Sequence, residues 1–125
     1  MSEFLLSRLR SFKYAFAGWL YVIRTQRNAW IHAASSIIVL ALGFWLRISA
    51  QDWIFLIIAA GFVWTAEFLN TALEAVVDLA TEEEHELAKV GKDVGAASVL
   101  IAAGVAVAIG LLVLGPPLAK AIANF

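Results

Sequence analysis

Residues 53–78 read WIFLIIAAGFVWTAEFLNTALEAVVD, an apolar run long enough to cross a membrane that nevertheless carries Glu67, Asn70, Glu74 and Asp78. A charged side chain at bilayer depth costs free energy on every insertion scale, so acidic residues inside a span are candidate functional residues. At about 100° per residue, the four polar side chains fall within roughly 80° of one another around an α-helix. The stretch therefore predicts a membrane helix with one acidic face.

The composition places the whole chain in the membrane class. Of its 125 residues, 62% are hydrophobic and 15% are charged, far from the balance of an ordinary soluble domain. The formal net charge of -1 and the lack of a basic stripe argue against a nucleic-acid partner. The absence of cysteine excludes disulfides, thiolate metal sites and a cysteine nucleophile.

Three apolar stretches approach or exceed the roughly 20 residues that a helix needs to cross a bilayer, namely residues 30–46, 53–79 and 94–114. The prolines of GPP at 115–117 predict that the third helix stops there. Ahead of the spans, residues 3–27 mix apolar and basic side chains at helical spacing, which predicts an amphipathic helix on the membrane surface. We therefore expect one all-α membrane domain over residues 1–125, with a surface helix and three transmembrane helices.

The basic residues predict the orientation. Five precede the first span and two lie between the second and third, whereas only Arg47 and Lys120 lie on the other side. The positive-inside rule then places the N-terminus and the loop TEEEHELAKVGKD (81–93) in the cytoplasm, where ATP is available.

That loop offers candidate phosphate and metal contacts. Lys92 and Asp93 stand where the third span begins, so the lysine can reach phosphate oxygens and the aspartate can hold a cation or water. Mg²⁺ commonly binds through one or two carboxylates together with nucleotide phosphates. Since no GxxxxGK[ST] loop is present, any nucleotide must be held by side chains.

The histidines lack the spacing of a zinc site. His32 is interpreted as a polar residue at the interface or in a helix contact, while His85 is compatible with loop packing or nucleotide contact. The five tryptophans are interpreted as interface residues without a catalytic role. The small residues of the third span indicate close helix packing.

EFLNTALEAVVD followed by EEEHELAKVGKDVGAASV closely resembles the signature of the small prokaryotic integral-membrane diacylglycerol kinases, a family that includes undecaprenol kinases. The resemblance covers nearly the whole chain. It implies a homotrimer in the bacterial cytoplasmic (inner) membrane, with active sites at the cytoplasmic face, and transfer of the γ-phosphate of MgATP to a lipid hydroxyl.

The resemblance also implies roles for individual residues. Glu67 matches the general base, with Asn70 beside it, and Glu74 matches the glutamate that coordinates the metal. The nucleotide-binding positions correspond to Tyr14, Glu83, Glu84, His85, Lys92 and Asp93, with Arg8 the nearest match to an arginine of the site and Asp78 in a supporting role.

Gln26 departs from the family pattern, since many members have a second metal-binding glutamate before the first span. An amide oxygen can still coordinate Mg²⁺, but it brings no negative charge. Asp78 or Asp93 is a candidate to compensate.

Two functional readings follow. The first is a lipid kinase acting on diacylglycerol or undecaprenol, and the form TQRN…IH at 25–32 is more like the undecaprenol kinase branch. The alternative is a non-catalytic membrane module, either a small ion or proton path lined by Glu67 and Glu74 or a subunit that has lost catalysis.

Overall fold

The structure is a computed structural model that describes residues 3–124. Over this range the chain forms four helices, α1 (Glu3–Thr25), α2 (Arg27–Leu46), α3 (Ala50–Ala80) and α4 (Glu86–Ala123). Helices α2, α3 and α4 are each long and apolar enough to cross a membrane. The prediction of an all-α membrane protein with three spans is confirmed, and each predicted span lies inside one of these helices.

Helix α1 is joined to α2 by a single extended residue, Gln26, at φ -98° and ψ 117°. The backbone hydrogen bonds of α1 continue as far as this residue, because the Gln26 backbone N–H donates to the Val22 carbonyl at 2.9 Å. Val22 is the buried residue of α1, and the other apolar side chains of that helix are largely exposed. Its predicted place on the membrane surface stays a prediction.

A tight turn reverses the chain between α2 and α3. Arg47 has a left-handed conformation with φ 51°. Ser49 then caps α3 with Asp52, because each side chain accepts a hydrogen bond from the other residue's backbone N–H, at 3.1 and 3.2 Å. Gly43 lets the helices approach, since a Cβ there would lie 2.6 Å from the Trp53 ring.

Helices α3 and α4 pack against each other along much of their length. Gly95 is buried against α3, and Val99 and Ala102 continue the same buried face of α4. Not every small residue of α4 lies in this contact, because a Cβ on Gly104 would meet nothing within 4 Å. The predicted close packing of the third span is therefore confirmed on the face that begins at Gly95.

The prediction that GPP ends the third helix is wrong. Helix α4 continues through Pro116 and Pro117 to Ala123. Gly115 has no Cβ to clash with the ring of Pro116, and the following segment LAKAIA consists mostly of good helix formers. The prolines lie at the same end of the molecule as the α2–α3 turn, since Leu118 lines a groove together with Trp53. At a membrane end, water can satisfy the two carbonyls that the missing N–H groups leave free.

Candidate functional site

Glu67 is the most deeply buried polar residue of the described chain, with 0% of its surface exposed. It lies near the middle of α3, and the Thr71 hydroxyl donates to its backbone carbonyl at 2.8 Å. Neither carboxylate oxygen has a hydrogen-bond partner within residues 3–124. A buried polar atom without a partner is uncommon and costly, so this carboxylate is marked out for function.

His32 of α2 is the residue that faces this carboxylate. Its Nε2 lies 3.5 Å from Glu67 Oε2, and its side chain is 12% exposed. The His32 ring also meets the Trp64 ring edge to face, with 6.0 Å between centroids. Trp64 is held in turn by the Ser36 hydroxyl, which accepts from the indole N–H at 3.3 Å.

Asn70, Glu74 and Gln26 form a second polar cluster one to two turns further along α3. The Asn70 amide donates to Glu74 Oε1 at 2.9 Å, and the Gln26 amide lies 3.5 Å from Glu74 Oε2. Asn70 Oδ1 is buried and has no partner among the described residues. Two amides, one from α3 and one from the residue between α1 and α2, therefore contact one carboxylate. Gln26 belongs to the cluster although it is the residue that departs from the family pattern.

This cluster suits a magnesium ion that arrives with a nucleotide better than a free ion. No group of three or more His, Asp or Glu side chains within residues 3–124 is arranged to hold a metal. Among Gln26, Asn70 and Glu74, Glu74 supplies the one carboxylate. Rotating the terminal amide of Gln26 by 180° would present its oxygen beside Glu74, since the terminal torsion of Gln is roughly two-fold. One carboxylate plus an amide oxygen is enough when phosphates supply other ligands.

Lys92 and Asp93 point to different partners. Lys92 forms an ion pair with Asp78 across the α3–α4 contact. Asp93 pairs instead with Lys89 at 3.1 Å on the exposed surface of α4. The structure thus brings Lys92 and Asp78 together at the end of α3 that follows Glu74, whereas Asp93 has a local partner.

The acidic loop is exposed at Glu83, Glu84 and His85. His85 is the N-cap of α4, and its Nδ1 accepts from the Leu87 backbone N–H at 3.1 Å. Glu83 is held through its backbone by the Thr81 hydroxyl at 3.2 Å. Within residues 3–124 the side chains of Glu83 and Glu84 are exposed and make no hydrogen bond or ion pair, while His85 has a structural role as the cap of α4.

Tyr14 and Arg8 lie on the exposed surface of α1. The Arg8 guanidinium sits 5.5 Å from the centre of the Phe4 ring. Neither residue makes a hydrogen bond or ion pair with the carboxylates of α3 within the described part of one chain. The nucleotide-binding role of Tyr14 and the supporting role of Arg8 stay predictions.

An apolar groove of about 680 Å³ runs between α2, α3 and α4. His32, Ser35 and Ser36 supply polar side chains at one end, and Leu114 and Leu118 lie at the other. The groove therefore starts beside Glu67 and extends along the spans toward the α2–α3 turn. Its shape and apolar walls suit a hydrocarbon chain.

His32 lies in a helix contact, one of the two interpretations given for it, but the sequence did not indicate Glu67 as its partner. A signal was present, because His32 and Ser36 are four residues apart and share a face of α2, and Trp64 precedes Glu67 by three residues on α3. The spacing within each helix does not specify how α2 is rotated about its axis relative to α3, and this rotation decides which side chains meet. Trp64 and Trp19 stack with ring centroids 5.5 Å apart next to the candidate site, and their place at the membrane interface stays a prediction.

Gly95 fixes the position of Asn70, which gives a first prediction. A Cβ at residue 95 would lie 2.4 Å from Asn70 Oδ1 and 3.1 Å from Leu73 Cδ2. We expect Gly95→Ala to displace Asn70 from Glu74 and to destabilise the fold by about 1–3 kcal/mol, as overpacking does. Unfolding in detergent measures the loss, with Gly104→Ala as the matched control. Equal stability of the two variants would contradict the close contact.

Comparison with known proteins identifies the family. The family model described as prokaryotic diacylglycerol kinase matches residues 13–114. The chain is 39% identical to an undecaprenol kinase of Bacillus subtilis over 109 residues, which cover 87% of this chain and 89% of that protein. It is 44% identical to a diacylglycerol kinase of Synechocystis over 111 residues, covering 88% of this chain and 63% of that protein.

A diacylglycerol kinase of Escherichia coli K12 is 38% identical over 94 residues, covering 70% of this chain and 77% of that protein. The matched range of the family model includes α2, α3 and most of α4, and with them Glu67, Glu74 and Lys92. The resemblance inferred from the acidic face of α3 is thereby confirmed: the chain belongs to the prokaryotic diacylglycerol kinase family of membrane lipid kinases.

Proposed function

We propose that this protein is an ATP-dependent lipid kinase that transfers the γ-phosphate of MgATP to the hydroxyl of diacylglycerol or undecaprenol. The observation that carries the proposal is Glu67, a fully buried carboxylate whose two oxygens have no hydrogen-bond partner within residues 3–124. It lies where an apolar groove meets a polar cluster, which is the arrangement that a lipid alcohol and a nucleotide require together.

In the proposed reaction Glu67 is the general base. Its carboxylate accepts the proton of the lipid hydroxyl while the hydroxyl oxygen forms a bond to the γ-phosphorus. The bond between that phosphorus and the oxygen bridging to the β-phosphate breaks, and ADP leaves with the electron pair. Asn70 lies one turn away on the same face of α3, where it steadies Glu74 and can contact the transferred group. Phosphoryl transfer needs mainly positioning and charge neutralisation, so few groups suffice.

The cluster of Glu74 and Gln26 is the proposed place for Mg²⁺. When bound with ATP, the ion would neutralise negative charge on the phosphates. Glu74 would supply a carboxylate oxygen and Gln26 an amide oxygen. Lys92 lies at the adjoining ends of α3 and α4 and would leave its ion pair with Asp78 to bind phosphate oxygens. Between turnovers the ion pair with Asp78 would hold the lysine in position.

The remaining nucleotide contacts are proposed from the family resemblance and from the accessibility of their side chains to solvent. They are Tyr14, Glu83, Glu84, His85 and Asp93, with Arg8 in a supporting role. Tyr14 and Arg8 lie on α1, whose outer face is exposed in the single chain. A homotrimer in the bacterial inner membrane, with the α3–α4 loop toward the cytoplasm, would cover such faces and close the site.

The groove is the proposed position of the lipid hydrocarbon. It begins at His32 next to Glu67 and follows the spans past Ala103 and Gly110 to Leu118. A hydroxyl at the polar end and a chain along the groove would place the reacting oxygen beside the general base. Similarity to both an undecaprenol kinase and diacylglycerol kinases supports either lipid.

The test is transfer of labelled phosphate from ATP in detergent micelles that contain diacylglycerol or undecaprenol in parallel. We expect a labelled lipid with at least one of them, and the ratio of the two rates identifies the preferred substrate. A folded protein that labels neither lipid would overturn the proposal. A conductance in sealed vesicles without ATP would instead support the ion or proton path.

Gln26→Glu gives a further prediction. A second carboxylate beside Glu74 should lower the magnesium concentration for half-maximal activity by about tenfold or more, because unit charges about 4 Å apart interact by roughly 4 kcal/mol at an effective dielectric constant near 20. A magnesium titration of the kinase rate measures the shift. Gln51→Glu, at the opposite end of the spans, is the matched control. An unchanged magnesium dependence would place Gln26 outside the metal site.

A further inference from the structure

The proposed reaction gives Glu67 a role but leaves its contact with His32 without one. The two atoms that face each other, His32 Nε2 and Glu67 Oε2, are both buried and both without a hydrogen-bond partner at the geometry shown. Their separation of 3.5 Å is just longer than a good hydrogen bond, so a small rotation of either side chain would join them.

Glu67 needs such a donor. The aromatic side chains Trp64 and Phe68 on α3 and Trp19 on α1 meet one another through their rings. The Asn70 amide donates to Glu74, and within residues 3–124 it makes no hydrogen bond to Glu67. Among the residues that the structure describes, His32 alone places a basic side-chain nitrogen within ion-pair distance of this carboxylate. An ionised carboxylate buried without a donor would be strongly disfavoured.

His32 is also held firmly enough to orient a neighbour. The Ser36 hydroxyl donates to the His32 backbone carbonyl at 2.7 Å, and the same hydroxyl receives the Trp64 indole N–H. Trp64 in turn contacts the edge of the imidazole. The His32 backbone is thus bonded within α2, and its ring contacts Trp64 of α3 at the polar end of the groove.

We propose that His32 is a positioning residue for Glu67: its Nε2–H donates to Oε2 and leaves Oε1 turned toward a lipid hydroxyl in the groove. This inference rests on the proposed function, in which Glu67 is the general base. An oriented carboxylate has one oxygen for its partner and one for the proton that it accepts. The effect of losing His32 should therefore fall on the rate of transfer and not on the binding of MgATP.

The test compares His32→Leu with His32→Gln. Glutamine can place its side-chain N–H group where Nε2–H stood, whereas leucine fills the space without a donor. We expect His32→Leu to lower kcat about 10- to 100-fold, the scale of a misplaced catalytic group, with the KM for MgATP unchanged. His32→Gln should restore most of the rate. Thermal unfolding in detergent monitors whether both variants fold alike.

A second readout does not depend on catalysis. An apolar carbodiimide labels protonated carboxyl groups inside membranes, and mass spectrometry locates the modified residue. His32→Leu removes the donor that faces Glu67 Oε2, so it should increase labelling at Glu67 over the native protein and over His32→Gln. Glu67→Gln gives the background at this position.

The outcomes separate the two proposals. A lower kcat and increased labelling in His32→Leu, both reversed in His32→Gln, support the positioning role. Equal labelling in all His32 variants, or kcat values of leucine and glutamine variants that match, would overturn it. If the native protein transfers no phosphate, the proposed function fails, and labelling still decides whether His32 pairs with Glu67.

Discussion

Glu67→Gln should lower kcat by about 10²- to 10⁴-fold, the usual contribution of a general base. The substitution keeps the size of the side chain and removes the group that accepts the proton. His32 is the basic group next to Glu67 within residues 3–124, and its proposed role is to donate a hydrogen bond, not to accept the proton. The rate of lipid phosphorylation at saturating MgATP measures the loss.

The neutral amide should leave the helix packing intact, because a buried amide costs less than an unpaired charge. Unfolding in detergent should therefore match the native protein. Thr71→Val is a control that shows whether any change beside Glu67 lowers the rate. Within residues 3–124 the Thr71 hydroxyl donates only to the Glu67 backbone carbonyl, so this variant leaves the Glu67 carboxylate in place. A Glu67→Gln protein with native activity would remove Glu67 from the reaction.

The second large effect is expected for Glu74→Ala. This change removes the only carboxylate of the proposed metal cluster and leaves the amides of Asn70 and Gln26 without their acceptor. A metal ion contributes several kcal/mol of charge stabilisation, so we expect an apparent affinity for MgATP lowered by at least about 100-fold. Affinity for the lipid should change little, because the groove does not include Glu74.

Nucleotide titrations at fixed lipid, and lipid titrations at fixed nucleotide, separate the two effects. Glu82→Ala is the matched control, since it removes an exposed acid from the neighbouring loop. An unchanged MgATP affinity in Glu74→Ala would remove that residue from the metal role.

Much of the fold was predictable because helical periodicity is a local property. The acidic face of α3 followed from the spacing of Glu67, Asn70 and Glu74 alone, and the structure buries the first two and half-buries the third. The three spans followed from their length and apolar composition. The cap of α3 extends it three residues beyond the predicted start, since Ser49 and Asp52 satisfy its first N–H groups.

The parts that escaped prediction depend on how helices meet. The pairing of His32 with Glu67 depends on the rotation of α2 about its own axis, which local spacing does not specify. Lys92 and Asp93 are adjacent in sequence but point about 100° apart on a helix, so one reaches Asp78 and the other Lys89. Pro116 and Pro117 lie inside α4, although proline usually ends a helix. They lie at the end of the span, where water can satisfy the free carbonyls.

The break at Gln26 has a mechanical consequence. Its side chain makes no capping hydrogen bond to α2, because the amide is directed to Glu74 instead. Replacing a favourable cap typically costs about 1 kcal/mol, so α2 begins less firmly than α3, whose capping box is complete. As the single extended residue between two helices, Gln26 must take up any change in the angle of α1. The residue that interrupts the helical backbone between α1 and α2 is thus also the candidate metal ligand.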